Sequence, residues 1–145
     1  MINMQKIKFF TSQTQPILNN RKKLKQFLLD IFRNEGKDLE SLNFIFCTDK
    51  YLLSLNRDFL SHDYFTDVIS FDLSPTRKIV SGEIYISIDR VRDNAMIQKV
   101  SAKNELHRII FHGALHLCGY KDNNIKNKEQ MRAQENKLLQ LYFLK

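Results

Sequence analysis

The chain has 145 residues, 43% of them hydrophobic, which predicts one domain spanning residues 1–145 that needs no disulfide or structural metal to fold. No apolar run approaches the roughly 20 residues of a membrane span, and the N-terminus lacks the apolar region of a signal peptide, so we expect a cytoplasmic protein. The formal net charge of +7 favours a polyanionic partner, nucleic acid more than a membrane surface, although a lysine-rich surface would give the same balance.

The hydrophobic pattern predicts alternating strands and helices with short connections. In chain order these are strand Lys6–Phe10, helix Pro16–Asn34, strand Leu42–Cys47, a helix after Thr48, strands Asp67–Leu73 and Glu83–Ile88, and helices Asp89–Lys99, Ala102–Leu117 and Asn127–Phe143. Gly36 and Gly119 are expected to end the helices before them, and Thr48 and Ser101 to cap the helices after them. The prediction is an α/β (α+β) fold with four strands and about five helices, the helices gathered mainly in the second half.

A candidate metal site occupies the segment HGALHLCGYKD, from His112 to Asp122. His112 and His116 are four residues apart on a predicted helix, so their side chains stack one turn apart on the same face. Gly119 breaks the helix and allows Asp122 to approach from the following loop. Two imidazoles and a carboxylate, with a fourth position open to water, form a recognised catalytic zinc set at the end of this central helix. Such a metal lowers the pKa of its bound water and polarises a substrate oxygen.

Two histidines at helical spacing also arise by chance, and alone they indicate partly buried histidines bonded to backbone or carboxylate. The chain has only four histidines, however, and two of them hold ligand spacing before a glycine and a carboxylate. A zinc protease would place a glutamate general base directly after the first histidine, where this chain has Gly113. Glu105 lies about 10 Å of helix rise from His112 and is interpreted as a surface or early-turn acid.

The segment closely resembles the signature HGxLHLxGYDH of the YbeY family of bacterial endoribonucleases. The matching positions are His112, Gly113, Leu115, His116, Leu117, Gly119 and Tyr120. Three further blocks are similar to the family in the same order: LNRDFLSHDYFTDVISFD (Leu55–Asp72), SGEIYIS (Ser81–Ser87) and QMRAQE (Gln130–Glu135). The resemblance therefore covers most of the chain after residue 50.

The resemblance implies a small mixed sheet with several helices and one Zn²⁺ per chain. It also implies a single-strand-specific endoribonuclease that acts in ribosomal RNA maturation, at the 3′ end of 16S rRNA, and in ribosome quality control. Its partners would be ribosomal RNA and the ribosomal subunit. The oligomeric state is left open.

Two departures from the family pattern bear on this function. Asp122 stands where the family has its third histidine, which replaces an imidazole nitrogen by a carboxylate oxygen and could favour Mn²⁺ or Mg²⁺. Leu60 stands where the family usually carries an arginine, and Arg57 and His62 are the nearby candidates to compensate. The catalytic group is therefore left as a metal-bound water, with His62 as a possible acid or base.

Several other residues are candidate contributors to the site. Thr66 and Asp67 precede a strand beside the site and either shape its cleft or form an ordinary turn. Cationic residues that could bind an RNA backbone, or simply form a solvated basic face, are Arg21, Lys22, Lys23, Lys25 and Lys121. Cys47 and Cys118 belong to no CxxC pair and are predicted to be reduced, buried thiols.

The predicted function is thus a zinc-dependent endoribonuclease, with two alternatives. One is a metal-dependent hydrolase of peptides or small molecules. The other is a non-catalytic ribosome- or RNA-binding protein with a residual metal site, an alternative that Leu60 strengthens.

Overall fold

The computed structural model describes residues 4–16 and 18–144, and within them one sheet is packed with five α-helices. The strands are β1 (Ile7–Thr11), β2 (Asp38–Cys47), β3 (Val68–Asp72) and β4 (Ile79–Ser87). The helices are α1 (Arg21–Asn34), α2 (Asp49–Leu60), α3 (Ile88–Gln98), α4 (Ala102–Leu117) and α5 (Ile125–Phe143), and a short 3-10 turn, Met4–Lys6, precedes β1. The predicted α/β fold with four strands and five helices is confirmed.

The sheet has the strand order β1-β2-β4-β3 and is mixed. β1 and β2 are parallel, β2 and β4 are parallel, and β3 runs antiparallel to β4 at one edge. Ile69 of β3 lies opposite Tyr85 of β4. This arrangement places the start of β3 beside the helices that follow β4.

Alternate residues of β4 divide between the two faces of the sheet, as strand geometry requires. Ile84 and Ile86 are fully buried in the main core, which α1, α4 and α5 complete. Tyr85 points to the other face, where it packs with Ile69 and with Leu52 of α2 in a smaller cluster. The turns of α4 that carry His112 and His116 lie over the face that holds the main core.

Two glycines allow α4 to lie against β4. A Cβ at Gly113 would be 2.9 Å from the Cγ2 of Ile84. A Cβ at Gly82 would be 2.8 Å from the Cδ1 of Leu117 and 2.9 Å from the carbonyl oxygen of Phe71. Because real side chains do not tolerate such distances, any larger residue at either position would push the helix away from the strand.

All five helices begin at a Ser, Thr or Asn whose side chain accepts a hydrogen bond from a backbone N–H of the first turn. These caps are Asn20, Thr48, Ser87, Ser101 and Asn124. Thr48 and Ser101 were among the predicted caps. Gly36 and Gly119 follow α1 and α4 with φ of 73° and 106°, which confirms the predicted helix ends.

The predicted start of the first helix at Pro16 is wrong. α1 begins at Arg21, because Asn20 caps it by accepting from the N–H of Lys23 at 3.1 Å. Ile17, which the prediction placed on the apolar face of this helix, lies outside the described residues. The strands β2 and β4 begin earlier than predicted, at Asp38 and Ile79, since their main-chain pairing starts at these residues.

Candidate metal centre

Helix α4 and the turn after it bring three metal-binding side chains together. His112 and His116 share one face of the helix, and Gly119 reverses the chain directly after its last turn. The Oδ2 of Asp122 consequently lies 3.4 Å from the Nε2 of His112 and 3.3 Å from the Nε2 of His116. The three ligand atoms all fall within 4.8 Å of one another, so the group could hold a metal ion.

The other ring nitrogen of each histidine is already engaged. The Nδ1 of His112 lies 2.6 Å from the Oε2 of Glu135, and the Nδ1 of His116 lies 3.0 Å from the carbonyl oxygen of Tyr120. Carboxylate and carbonyl oxygens accept hydrogen bonds, so each Nδ1 carries the proton and each Nε2 is left as a ligand atom. A hydrogen bond of this kind from a ligating histidine to a carboxylate fixes the ring and raises its basicity.

Two of the three distances between ligand atoms fit a tetrahedral ion. Bonds of about 2.0–2.1 Å to zinc imply an edge of about 3.3–3.4 Å between neighbouring ligand atoms of a tetrahedron. The distances from Asp122 to the two histidines match that edge. The side chains are partly open to solvent, at 20%, 28% and 42% for His112, His116 and Asp122, which leaves room for a fourth ligand.

A buried charge network supports His112 from behind. Arg108 donates to the Oε1 of Glu135 at 3.1 Å, and its Nε lies 3.8 Å from the Oε1 of Glu105, beyond hydrogen-bond distance. Arg132 approaches the same oxygen of Glu135 at 3.5 Å. Burial raises the pKa of Glu105, although the charge of Arg108 opposes this. Glu105 lies in the first turn of α4, as one of the two interpretations had it, but it is not a surface acid: it is 2% exposed and joins the network behind the site.

The electrostatics of His112 follow from its carboxylate neighbours. Desolvation lowers its pKa, but the hydrogen bond and charge of Glu135, together with Asp122 and Asp67, outweigh desolvation and leave the pKa raised. Burial in turn raises the pKa of Asp67, against the opposing charge of His112. Asn94 of α3 donates to the Oδ2 of Asp67 at 3.1 Å. A negative environment of this kind favours a cation.

Two cavities meet at His112 and Asp122, and the second also includes His116. The first, of about 400 Å³, reaches between α3, α4 and α5 and includes Arg108, Lys128 and Arg132 in its lining. The second, of about 440 Å³, lies over β3 and the loop after α2, and includes His62 and Tyr64. Asp67, Val68, His112 and Asp122 line both cavities. An extended polymer lying across the two would therefore cross the metal centre.

Comparison with known proteins places the chain in a family. The family model described as "Endoribonuclease YbeY" matches residues 6–142. The chain belongs to this family. Proteins described as "Endoribonuclease YbeY" include one from Cytophaga hutchinsonii, 50% identical over 133 residues that make up 92% of this chain and 93% of that protein. Another, from Porphyromonas gingivalis, is 40% identical over 94% of this chain and 89% of its own length. This membership supports the prediction of a nuclease.

The fold of this YbeY-family chain is also similar to a solved structure. The solution structure of a Thermotoga maritima protein superposes with a TM-score of 0.66 at 28% identity, over 94% of this chain and 89% of that one. The similarity therefore extends over nearly the whole described chain. Among residues 4–16 and 18–144, no helix is long and apolar enough to cross a membrane.

The structure brings some of the other predicted site residues to the metal centre. His62, Leu60 and Thr66 line the second cavity, and Asp67 lines both. Arg57, considered as a substitute for the missing arginine, forms an ion pair with Asp63 on the surface.

The predicted cationic cluster of α1 lies away from the metal centre. Lys23 donates to the carbonyl oxygen of Tyr142 at 2.8 Å, about 10 Å of helix rise along α5 from Glu135. Neither cavity at the metal centre is lined by Arg21, Lys22, Lys23 or Lys25 within the described residues. Lys121 lines a separate cavity of about 320 Å³ on the turn after α4.

Sequence reasoning did not assign a role to Glu135. A signal was present, because Glu135 lies on the same apolar stripe of α5 as Met131 and Leu138, where an unpaired acid would be costly. The partner that compensates, Arg108, lies on another helix and gives no local signal. An acid on a predicted buried stripe is thus the pattern by which such residues could be found.

Proposed function

We propose that this chain acts, as one domain in the cytoplasm, as a zinc-dependent, single-strand-specific endoribonuclease in ribosomal RNA maturation and ribosome quality control. Its site of action would be the 3′ end of 16S rRNA, on the ribosomal subunit. His112, His116 and Asp122 would hold one Zn²⁺. The observation that carries the proposal is the convergence of three ligand atoms at the junction of two open cavities in a chain of an endoribonuclease family.

The chemistry divides between the ion and the chain. Zinc would supply a Lewis acid that stabilises negative charge on the phosphate and lowers the pKa of a water. Glu135 holds the His112 ring in its ligating tautomer, and Asp67 adds a carboxylate beside it. His62 is the candidate proton carrier, since its ring lines the second cavity and its Nδ1 lies 3.0 Å from the hydroxyl of Tyr64.

RNA contacts would extend beyond the metal centre. Cations that bind phosphate without reading sequence give salt-dependent affinity. Arg21, Lys22, Lys23 and Lys25 on α1, and Lys121 after α4, are proposed for this role. Because the α1 residues lie near the far end of α5, they would contact a strand well away from the cleaved bond.

The test combines metal content with RNA cleavage. Elemental mass spectrometry of tag-free wild-type protein is expected to give about one zinc per chain, and Asp122→Ala is expected to lose zinc and cleavage of single-stranded RNA together. Asp93→Ala, an exposed acid on α3, is the matched control and should retain both. Wild-type protein that takes up no metal after supplementation, or an Asp122→Ala variant with unchanged zinc, would contradict the site assignment.

The non-catalytic alternative is favoured by one observation. The second cavity is lined by Leu60 and by no Lys or Arg of the described residues, so no guanidinium or ammonium there can stabilise a phosphate. A binding protein would show salt-dependent RNA affinity without metal-dependent turnover. A hydrolase of other substrates would cleave a peptide pool and leave RNA intact.

A further inference from the structure

The two cavities at the metal centre differ in chemistry. The first has three cationic side chains that can bind phosphate, Arg108, Lys128 and Arg132, beside the carboxylates of Asp67, Glu105, Asp122 and Glu135. The second has no Lys or Arg in its described lining and contains the carboxylates of Asp67, Asp72 and Asp122. Phosphate would meet no cationic side chain there, while uncharged, flat groups would be accepted. A nucleic acid crossing the metal centre would therefore place its backbone towards the first cavity and a base in the second.

The wall of the second cavity carries a stacked aromatic pair. The rings of His62 and Tyr64 lie with centroids 5.1 Å apart at an interplanar angle of 21°, and the Tyr64 hydroxyl is 3.0 Å from the His62 Nδ1. Tyr64 is 56% exposed, so the pair offers an open ring face at the cavity. Phe65 next to it is already covered by the guanidinium of Arg90, 4.7 Å from its ring centroid.

The loop that carries the pair is fixed by a buried amide. Asn56 of α2 is 2% exposed, its Nδ2 donates to the carbonyl oxygen of Tyr64 at 2.9 Å, and its own carbonyl oxygen accepts from the N–H of His62 at 3.1 Å. The side chain of Asn56 thus holds Tyr64, and its backbone carbonyl holds His62. Holding a binding surface in place before the ligand arrives reduces the entropy lost on binding.

We propose that His62 and Tyr64 form a stacking platform for one nucleobase of single-stranded RNA, the base next to the phosphodiester at the metal centre. The inference rests on the proposed function and extends it to a base subsite. Stacking of unpaired bases on aromatic rings is the usual way in which proteins bind single strands without reading sequence. A base in a duplex has no free face, so the platform would exclude paired RNA.

The test compares Tyr64→Ala with Tyr64→Phe, using fluorescent 2′-O-methyl oligoadenylate and oligouridylate as probes in anisotropy titrations. Tyr64→Ala should weaken binding of oligoadenylate about tenfold, the size expected for one lost base–aromatic stack. Tyr64→Phe keeps the ring and should bind within about twofold of the wild type. Wild type should prefer the purine strand, which stacks more strongly, and Tyr64→Ala should lose that preference. In cleavage assays the same loss should appear in KM more than in kcat.

Tyr51→Ala provides the control, because Tyr51 is a 42% exposed tyrosine on α2 that lines neither cavity. It should leave binding unchanged, and an equal loss there would overturn the platform. So would a Tyr64→Phe variant as weak as Tyr64→Ala, or a Tyr64→Ala variant with wild-type affinity in a protein that still cleaves RNA. That last result would leave the proposed function intact, whereas wild-type protein that neither binds nor cleaves RNA would remove both.

Discussion

Glu135 determines how His112 presents its ligand nitrogen. Its carboxylate accepts from Nδ1, and it is itself held by Arg108, so the ring orientation depends on two side chains outside the ligand set. Mutation of hydrogen-bond partners of this kind typically lowers metal affinity or activity about 10- to 100-fold. The site is therefore larger than its three ligands.

Replacing the carboxylate of Glu135 by an amide tests this dependence. Glu135→Gln keeps an oxygen acceptor but removes the negative charge that raises the pKa of His112, and metal affinity is expected to fall about 10- to 100-fold. Competition against a chromophoric chelator measures the change. Glu129→Gln, an exposed position on the same helix, should leave affinity unaltered, and equal affinities for wild type and Glu135→Gln would contradict the role given to the carboxylate.

The two cysteines should be inert in the folded protein. Burial raises the pKa of both Cys47 and Cys118 to about 12, so both remain thiols at pH 8, and the thiolate is the reactive form. Iodoacetamide at pH 8 is expected to leave the native chain unlabelled and to label both residues in guanidinium chloride, as read by mass spectrometry. Rapid labelling of the native protein at either position would show that the thiol is accessible and ionised.

At the scale of elements, α4 carries two of the three candidate metal ligands, His112 and His116, and is also the element whose bounds the sequence predicted correctly. Its cap Ser101, its apolar stripe and the glycine after it are all local signals. The start of α1 was missed because the capping side chain of Asn20 decides it, against a hydrophobic pattern that continues towards Pro16. The burial of Glu105 was missed because its partner Arg108 acts within a packed environment that only the tertiary structure creates.

Gly113 is expected to control how closely α4 approaches the sheet. Gly113→Ala gains helix propensity of about 1 kcal/mol but forces a methyl group against Ile84, which costs roughly 1–3 kcal/mol. We expect a net loss of stability of about 1 kcal/mol in urea unfolding, with weaker metal binding because His112 moves with the helix. Ser54→Ala, an exposed position on α2, is the control for helix propensity. A Gly113→Ala variant more stable than wild type would mean that the Ile84 side chain can move aside with no loss of packing energy.

The whole molecule combines an excess of positive charge with an acidic metal centre. The net charge of +7 attracts RNA, while the carboxylates around His112 attract the cation. Lys128 lines the first cavity at that centre, and Lys22 lies on α1 away from it. These two lysines would therefore contact different parts of a bound RNA strand.

Salt titrations can distinguish phosphate contacts made by Lys128 at the metal centre from those made by Lys22 on α1. For single-stranded RNA, removing one phosphate contact should reduce the slope of log K against log salt by roughly 0.7. We expect this reduction for Lys128→Ala, and for Lys22→Ala only with oligonucleotides long enough to reach α1. Lys50→Ala on α2 is the control. A Lys128→Ala variant with an unchanged slope would contradict phosphate binding by Lys128 in the first cavity.

All three candidate metal ligands come from one short stretch of chain, between His112 and Asp122. Because the loop between them is short, little entropy opposes their meeting even without the rest of the fold. The unfolded chain would then retain affinity for zinc, and an ion that binds both states raises the free energy of unfolding by less than its affinity for the native state implies. The ion stabilises the native state only to the extent that it binds that state more tightly than the unfolded chain. Glu135 and the packing of α4 provide this difference in affinity. The metal can consequently bind before the chain folds, and formation of the native structure then increases the affinity for it.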